Sequence, residues 1–174
     1  MKKIIIAVVV IVVIGLIYMF VVKGDSTDKA PVAGNEPAVT LGDSYKTASY
    51  TIEGTKIALG DKNGKAKFFG NEARGDLNGD GTEDVAFLIT NQPGGSGTFY
   101  YVVAAMNADG GFVGTNAIFL GDRIAPQNTQ IVDGDIVVNF ADRKSGESMT
   151  TAPSVGVTSY FKYDGGSLNY SGSR

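Results

Sequence analysis

Short apolar runs separated by turn-forming residues constrain the fold of this chain more than any other feature. Residues 85–90 and 98–106 are apolar at nearly every position, and residues 93–97 between them read PGGSG. A run of this length that is apolar on both faces is typical of a strand buried on both sides of a sheet. We therefore expect the two runs to pair as central strands, joined by a turn at residues 93–97.

The rest of the chain from Tyr45 onward continues this pattern. Asn63-Gly64 and Asp133-Gly134 are dipeptides typical of tight hairpins, residues 112–120 form a further apolar run, and residues 155–163 alternate as a half-buried strand does. No stretch repeats apolar residues with the 3.6-residue period of a helix. The sequence predicts an all-β domain, an antiparallel hairpin-rich sandwich or a partly closed barrel, and leaves open which of the two it is.

The N-terminal segment has a different character. Residues 4–22 contain no charged side chain, and at helical rise they span about 28 Å, close to the hydrocarbon thickness of a bilayer. A cleaved signal peptide would have a shorter apolar region followed by small residues, which residues 19–23 (MFVVK) do not provide. We expect one uncleaved transmembrane helix, with Lys2 and Lys3 inside and the C-terminal domain outside the cytoplasmic membrane.

These observations divide the chain into three parts. Residues 1–23 are predicted to be the transmembrane anchor. Residues 24–44 are small and polar, contain Pro31 and Pro37, and show no periodicity, so they are predicted to be a flexible linker. Residues 45–174 are predicted to form the extracytoplasmic β domain.

Composition disfavours several classes of function. All 18 acidic residues but only 12 of the 15 basic ones follow Lys23, which gives that part a net charge of −6 and little attraction for nucleic acid. The chain has no cysteine and no histidine, so it has no thiol nucleophile, no disulfide and no imidazole base. We expect a non-enzymatic domain; hydrolysis of a glycan by paired carboxylates is the least unfavourable catalytic alternative.

Residues 76–84, DLNGDGTED, are the strongest candidate for a ligand site. Asp76, Asn78, Asp80 and Asp84 stand at positions one, three, five and nine, and two glycines between them allow tight curvature. Hard oxygen ligands and net negative charge on a short loop suit Ca²⁺. The sequence predicts a structural Ca²⁺ site that uses these four side chains and the carbonyl of Thr82. The alternative is an ordinary solvated turn that binds no ion.

The loop departs from an EF-hand, because position twelve is Phe87 rather than glutamate. Glu83 or a residue from elsewhere would then complete the ion's coordination. The pattern D-x-N-x-D-G-x-x-D resembles the calcium loops of dockerins and of integrin-type propeller repeats. Those families carry the pattern in two or more copies, whereas this chain has one, so the resemblance supports the ion and implies neither fold.

A broader resemblance covers about residues 45–165. The blocks GDLNGDG, GGSGTFYY and LGDR follow one another in that order. In this they resemble an uncharacterised group of small membrane-anchored bacterial envelope proteins. The resemblance implies an anchored extracytoplasmic domain and supplies no catalytic residue.

The expected function is therefore an interaction or binding module with an unknown protein or glycan partner. The alternative is a glycan-binding or glycan-hydrolysing envelope domain that uses carboxylates and exposed tyrosines; the candidate tyrosines are Tyr100, Tyr101, Tyr160 and Tyr163.

Two Asp-Arg dipeptides, Asp122-Arg123 and Asp142-Arg143, follow apolar runs. They are predicted to form strand-end ion pairs or arginine hydrogen bonds to loop carbonyls, with a groove bordered by Glu147 as the alternative.

Overall fold

The computed structural model describes residues 41–60 and 66–174. Within these residues the protein has a short 3₁₀ helix, Leu41–Thr47, followed by eleven β-strands. The strands are β1 (Ser49–Ile52), β2 (Thr55–Ala58), β3 (Ala66–Gly75), β4 (Asp84–Asn91), β5 (Phe99–Ala108), β6 (Gly111–Gly114), β7 (Ile118–Asp122), β8 (Ala125–Val132), β9 (Asp135–Asp142), β10 (Val155–Asp164) and β11 (Ser167–Ser173).

The strands form two larger antiparallel sheets and one hairpin. The first sheet has the order β3-β4-β5-β6, and β7 pairs with the same edge of β5 as β6 does, further toward the start of β5. The second sheet has the order β11-β10-β9-β8, and β1 pairs with β2. In the first sheet β4 and β5 are joined through residues 93–97, and their register runs from Val85 opposite Ala105 to Asn91 opposite Phe99. This confirms the predicted central pair.

One face of the β4–β5 pair packs against the second sheet. Ala86 and Leu88 of β4 and Val102 and Ala104 of β5 are fully buried there. They belong to one core with residues of β9, β10 and β11, namely Ile136, Val138, Phe140, Phe161 and Leu168. The alternation of side chains along a strand places the intervening residues on the opposite face.

That opposite face is covered by the 3₁₀ helix and the β1–β2 hairpin. Tyr45 and Tyr50 are fully buried against Phe87, with ring centroids 5.4 Å from it in both cases. The hydroxyl of Tyr50 donates a hydrogen bond to the carbonyl of Tyr45 at 2.6 Å, so the buried polar group is satisfied. Val85 and Val103 belong to the same core. Because both faces of the β4–β5 pair are covered, the central residues of both strands, 85–89 and 101–106, are apolar.

The predicted all-β antiparallel architecture is confirmed at this level. The two larger sheets face each other across a shared core and do not close into a barrel. The described residues contain no helix longer than the seven residues of Leu41–Thr47, as the missing 3.6-residue period predicted.

The apolar run 112–120 does not form a single strand, contrary to the sequence-based expectation. It divides into β6 and β7 at Thr115 and Asn116. The Thr115 hydroxyl accepts a hydrogen bond from the backbone N–H of Ala104 at 3.0 Å. The Asn116 amide bonds to both the N–H and the carbonyl of Leu168, at 2.7 and 2.9 Å. The hydrogen bonds at this break connect the first sheet to β11, and the hydrophobic pattern of the sequence does not predict that connection.

The N-terminal predictions fall mainly outside the described residues. The predicted anchor, residues 1–23, lies there entirely, as does the predicted hairpin dipeptide Asn63-Gly64. The 3₁₀ helix begins at Leu41, inside the predicted linker 24–44 and ahead of the predicted domain start at Tyr45. In the part of the chain that the structure describes, no helix is long and apolar enough to cross a membrane.

The central position of β5 predicts a sharp contrast between two valines. Val103 is fully buried in β5, whereas Val113 in β6 is 61% exposed. We expect Val103→Asp to prevent folding, because an unpaired buried carboxylate costs several kcal/mol against a total stability of about 5–15 kcal/mol. Val113→Asp should change the free energy of unfolding by about 0.5 kcal/mol or less. Circular dichroism melts of the two variants beside the parent test this, and similar melts for both variants would contradict the architecture.

Candidate metal loop and the adjacent cleft

The loop between β3 and β4 is organised by the side chains that were predicted to bind an ion. Asp76 Oδ1 accepts hydrogen bonds from the backbone N–H groups of Asn78 (3.2 Å) and Gly79 (2.7 Å), and its Oδ2 accepts one from Gly81 (2.9 Å). Gly79 and Gly81 have φ values of +79° and +81°, which residues other than glycine adopt only with strain. The two glycines therefore let the loop curl around the carboxylate of Asp76.

Asn78 and Asp80 are brought together on the exposed side of this loop. The amide of Asn78 donates to Asp80 Oδ2 at 2.8 Å, and the N–H of Asp80 returns a bond to Asn78 Oδ1 at 3.0 Å. The hydroxyl and the backbone N–H of Thr82 both donate to Asp80 Oδ1. The bonds from the Thr82 hydroxyl, from Asn78 and from the Thr82 backbone lower the pKa of Asp80, so this carboxyl is ionised at neutral pH.

Asp84 has a different position. It is fully buried, its Oδ2 accepts the N–H of Leu77 at 2.9 Å, and its Oδ1 accepts the N–H of Asn107 at 2.9 Å. Burial raises the pKa of Asp84, the two backbone hydrogen bonds oppose that effect, and the carboxylates of Asp80 and Asp76 raise the pKa further. Asp84 therefore joins the start of the loop to the end of β5, and the negative charges of Asp76 and Asp80 act on its carboxyl group.

The residue types fit Ca²⁺, because Asp76, Asn78, Asp80 and Asp84 offer hard oxygen atoms in one loop. Their present arrangement is not a closed coordination sphere. Among the described residues, no group of three or more acidic side chains is placed closely enough to hold a metal ion. A carboxylate oxygen that accepts one hydrogen bond keeps a second lone pair. The hydrogen bonds within the loop therefore leave lone pairs available to coordinate an ion. Glu83, the suggested additional ligand, forms an ion pair with Arg74 at 3.2 Å.

A cleft of about 690 Å³ lies beside the loop. Asn78, Asp80 and Thr82 form one side, and Tyr163 stands among its lining residues. Asn107 near the end of β5, Asp109 in the turn between β5 and β6, and Thr115 add further polar groups to the lining. The sequence does not reveal this meeting, because nothing in the chain order shows that two segments far apart in sequence line one cleft.

The four candidate tyrosines do not share one exposed surface. Tyr101 is only 4% exposed and belongs to the core. Tyr100 packs edge-on against Phe69 at 5.2 Å, and Tyr160 lies under the guanidinium of Arg174 at 5.5 Å. Tyr163 is therefore the one of the four with a place in the cleft beside the loop.

The Asp-Arg dipeptides stabilise strand ends, as the first of the two sequence interpretations predicted. Asp122 forms an ion pair with Arg123 at 2.9 Å and also accepts the N–H of Thr98 at 2.9 Å. Arg143 donates to the carbonyls of Asp122 (3.3 Å) and Arg123 (3.0 Å). The bond from the Arg123 side chain is the main reason that the pKa of Asp122 is lowered. Both arginines therefore form contacts within the protein at the ends of strands.

No protein-family model matches the chain, and neither a curated protein nor a solved structure is detectably similar to it. The function of this protein must therefore be inferred from its own residues and their geometry. The block similarity to membrane-anchored envelope proteins stays a prediction.

The two hydrogen bonds of Asp84 predict a large effect for a small substitution. In Asp84→Asn one amide oxygen remains as acceptor, while the –NH₂ group meets a backbone N–H that has lost its partner. We expect the free energy of unfolding in the presence of a chelator to fall by about 1–3 kcal/mol. Asp109→Asn makes the same chemical change at an exposed turn position and should shift the free energy of unfolding by about 0.5 kcal/mol or less. Urea denaturation measures both, and equal stabilities would show that Asp84 does not hold the loop.

Proposed function

We propose that the domain is a non-enzymatic binding module on the outer side of the cytoplasmic membrane, stabilised by one Ca²⁺ at residues 76–84. The observation that carries the proposal is the position of Asp84. Its buried carboxylate holds Leu77 and Asn107, and the charges of Asp76 and Asp80 already act on it. A divalent cation in the loop would offset this repulsion. Because Asp84 is hydrogen-bonded to Leu77 and Asn107, the same cation would also stabilise the attachment of the loop to β5.

The proposed ligands are the side chains of Asp76, Asn78, Asp80 and Asp84 and the carbonyl of Thr82. Ca²⁺ suits this set better than Mg²⁺, because it accepts irregular oxygen shells, whereas Mg²⁺ requires a tight octahedron and keeps its waters. High affinity is unnecessary outside the cell, where calcium modules work at dissociation constants of about 10⁻⁴–10⁻³ M. The role of the ion is to stiffen the loop that borders the cleft; no chemical step is assigned to it.

The ion should be visible as a gain in thermal stability. At a Ca²⁺ concentration ten times the dissociation constant, binding to the folded state adds about 1.4 kcal/mol, which raises the melting temperature of a domain of this size by several degrees. The measurement is a thermal melt of the full chain in neutral detergent, in millimolar Ca²⁺ and in chelator. Mg²⁺ at the same concentration should give a much smaller shift.

Two alanine variants sharpen this test. Asp80→Ala removes an exposed carboxylate of the loop and should abolish the calcium-dependent shift. Asp164→Ala removes an exposed carboxylate at the end of β10 and should keep it. If the parent melts identically with and without calcium up to about 10 mM, the loop is an ordinary turn.

The membrane location is supported by the uncharged run at residues 4–22 and by the missing cleavage signal after it. An uncleaved anchor predicts that the intact mass of the protein extracted from membranes corresponds to a chain that still contains residues 4–22. Mass spectrometry of the extracted protein measures this directly. A mature N-terminus after Phe20 would identify the segment as a signal peptide.

The partner-binding surface is proposed to be the cleft beside the loop. A second candidate, binding or hydrolysis of an envelope glycan, is favoured by one observation: Tyr163, Asn107 and Asp109 all line that cleft. A cleft that contains an aromatic ring, an amide and a carboxylate is suited to stacking on a sugar and accepting hydrogen bonds from its hydroxyl groups. Incubation with cell-wall glycan separates the cases: retention without cleavage supports a glycan-binding domain, and cleavage supports a carboxylate-dependent hydrolase.

A further inference from the structure

A second, smaller pocket lies on the other side of the β4–β5 pair from the second sheet. It encloses about 360 Å³ at the turn end of the β1–β2 hairpin. Its lining residues come from four separate parts of the chain: Glu53 between β1 and β2, Asn91 and Pro93 at the end of β4, Phe99 and Tyr101 of β5, and Phe119 of β7. The hairpin covers Phe87 and Ile89 but leaves this end of the sheet partly open.

Three aromatic rings and Pro93 form the apolar part of the pocket. Phe119 lies 6.2 Å from Phe99 and 5.4 Å from Tyr101, measured between ring centroids. Tyr101 is buried, whereas Phe119 is 55% exposed. Phe119 is therefore held in place by two ring neighbours and still presents a large part of its surface to solvent. The face of an aromatic ring carries partial negative charge, which attracts cations.

The polar part of the pocket is negative as well. Glu53 Oε1 accepts a hydrogen bond from the Tyr101 hydroxyl at 3.5 Å, which places the carboxylate beside the rings. Among the described residues, no lysine or arginine forms an ion pair with Glu53. Glu53 also has a φ of +48°, an unusual conformation for glutamate in a turn that glycine or asparagine adopts more readily. A carboxylate thus stands at the pocket without a cationic partner from this part of the chain.

Asn91 adds a third feature. Its side-chain oxygen is buried and has no hydrogen-bond partner within the described part of the protein. The Asn91 side chain also forms a hydrogen bond with Tyr101, so it helps to hold that ring at the wall of the pocket.

We propose that this pocket binds a cationic side chain, lysine or arginine, presented by an extended segment of a protein partner. The carboxylate of Glu53 and the face of Phe119 attract the charge. The net charge of −6 after Lys23 favours the approach of such a basic segment. The pocket is lined by different residues from the calcium loop, so this proposal does not depend on that site.

The test uses the full chain in neutral detergent and the peptide acetyl-trilysine-amide. Titration followed by NMR should shift the signals of Glu53, Tyr101 and Phe119, and acetyl-triglutamine-amide should not. Glu53→Gln preserves the size of the side chain, removes its charge and should weaken trilysine binding by at least about three-fold. Phe119→Leu keeps an apolar side chain, loses the ring and should weaken binding roughly two- to five-fold.

Glu72→Gln is the matched control, because it removes a carboxylate of β3 that lies outside the pocket lining. This variant should bind trilysine as the parent does. Equal binding of trilysine and triglutamine, shifts confined to other surfaces, or no binding at all would overturn the proposal. Binding of chitotriose at the same residues that survives Glu53→Gln would assign the pocket to a glycan instead and would also overturn it.

Discussion

The burial of β4 and β5 on both faces is the constraint on which the rest of this structure depends. A strand pair that is apolar on both sides must be covered twice. The second sheet covers one face, and the 3₁₀ helix with the β1–β2 hairpin covers the other through Tyr45 and Tyr50. Neither cover could be removed without exposing a row of large apolar side chains to water. The apolar residues on both faces of β4 and β5 therefore require three layers: the second sheet, the first sheet, and the 3₁₀ helix with the β1–β2 hairpin.

The ends of this buried pair carry the features that bear on function. At one end Asp84 begins β4 and fixes the carboxylate-rich loop to β5 through Leu77 and Asn107. At the other end Asn91 closes β4 beside Phe99, where the hairpin no longer covers the sheet. A rigid centre with two dissimilar open ends is consistent with a binding module, since the sheet fixes each lining side chain while the loops remain accessible.

Two kinds of acidic residue occur in the loop, and their environments separate their roles. Asp80 is exposed and is kept ionised by hydrogen bonds from Thr82 and Asn78, so it is available to a cation. Asp84 is buried, and its pKa is raised chiefly by burial. Its first contribution is structural, because both of its oxygens accept hydrogen bonds from backbone N–H groups. The same sequence motif therefore contains residues that build the loop, Asp76 and Asp84, and residues on its exposed side, Asn78 and Asp80.

The sequence by itself determined the strand content, the central pair and the candidate loop, because these depend on local periodicity, on turn dipeptides and on the spacing of oxygen-bearing side chains. It predicted strand-end roles for Arg123 and Arg143 for the same local reason. Only the tertiary structure decided that residues 112–120 break at Asn116, that Tyr101 is buried, and that Glu53 meets Phe119. Each of these depends on contacts between residues distant in the chain, and their geometry is set by how the covering layers pack.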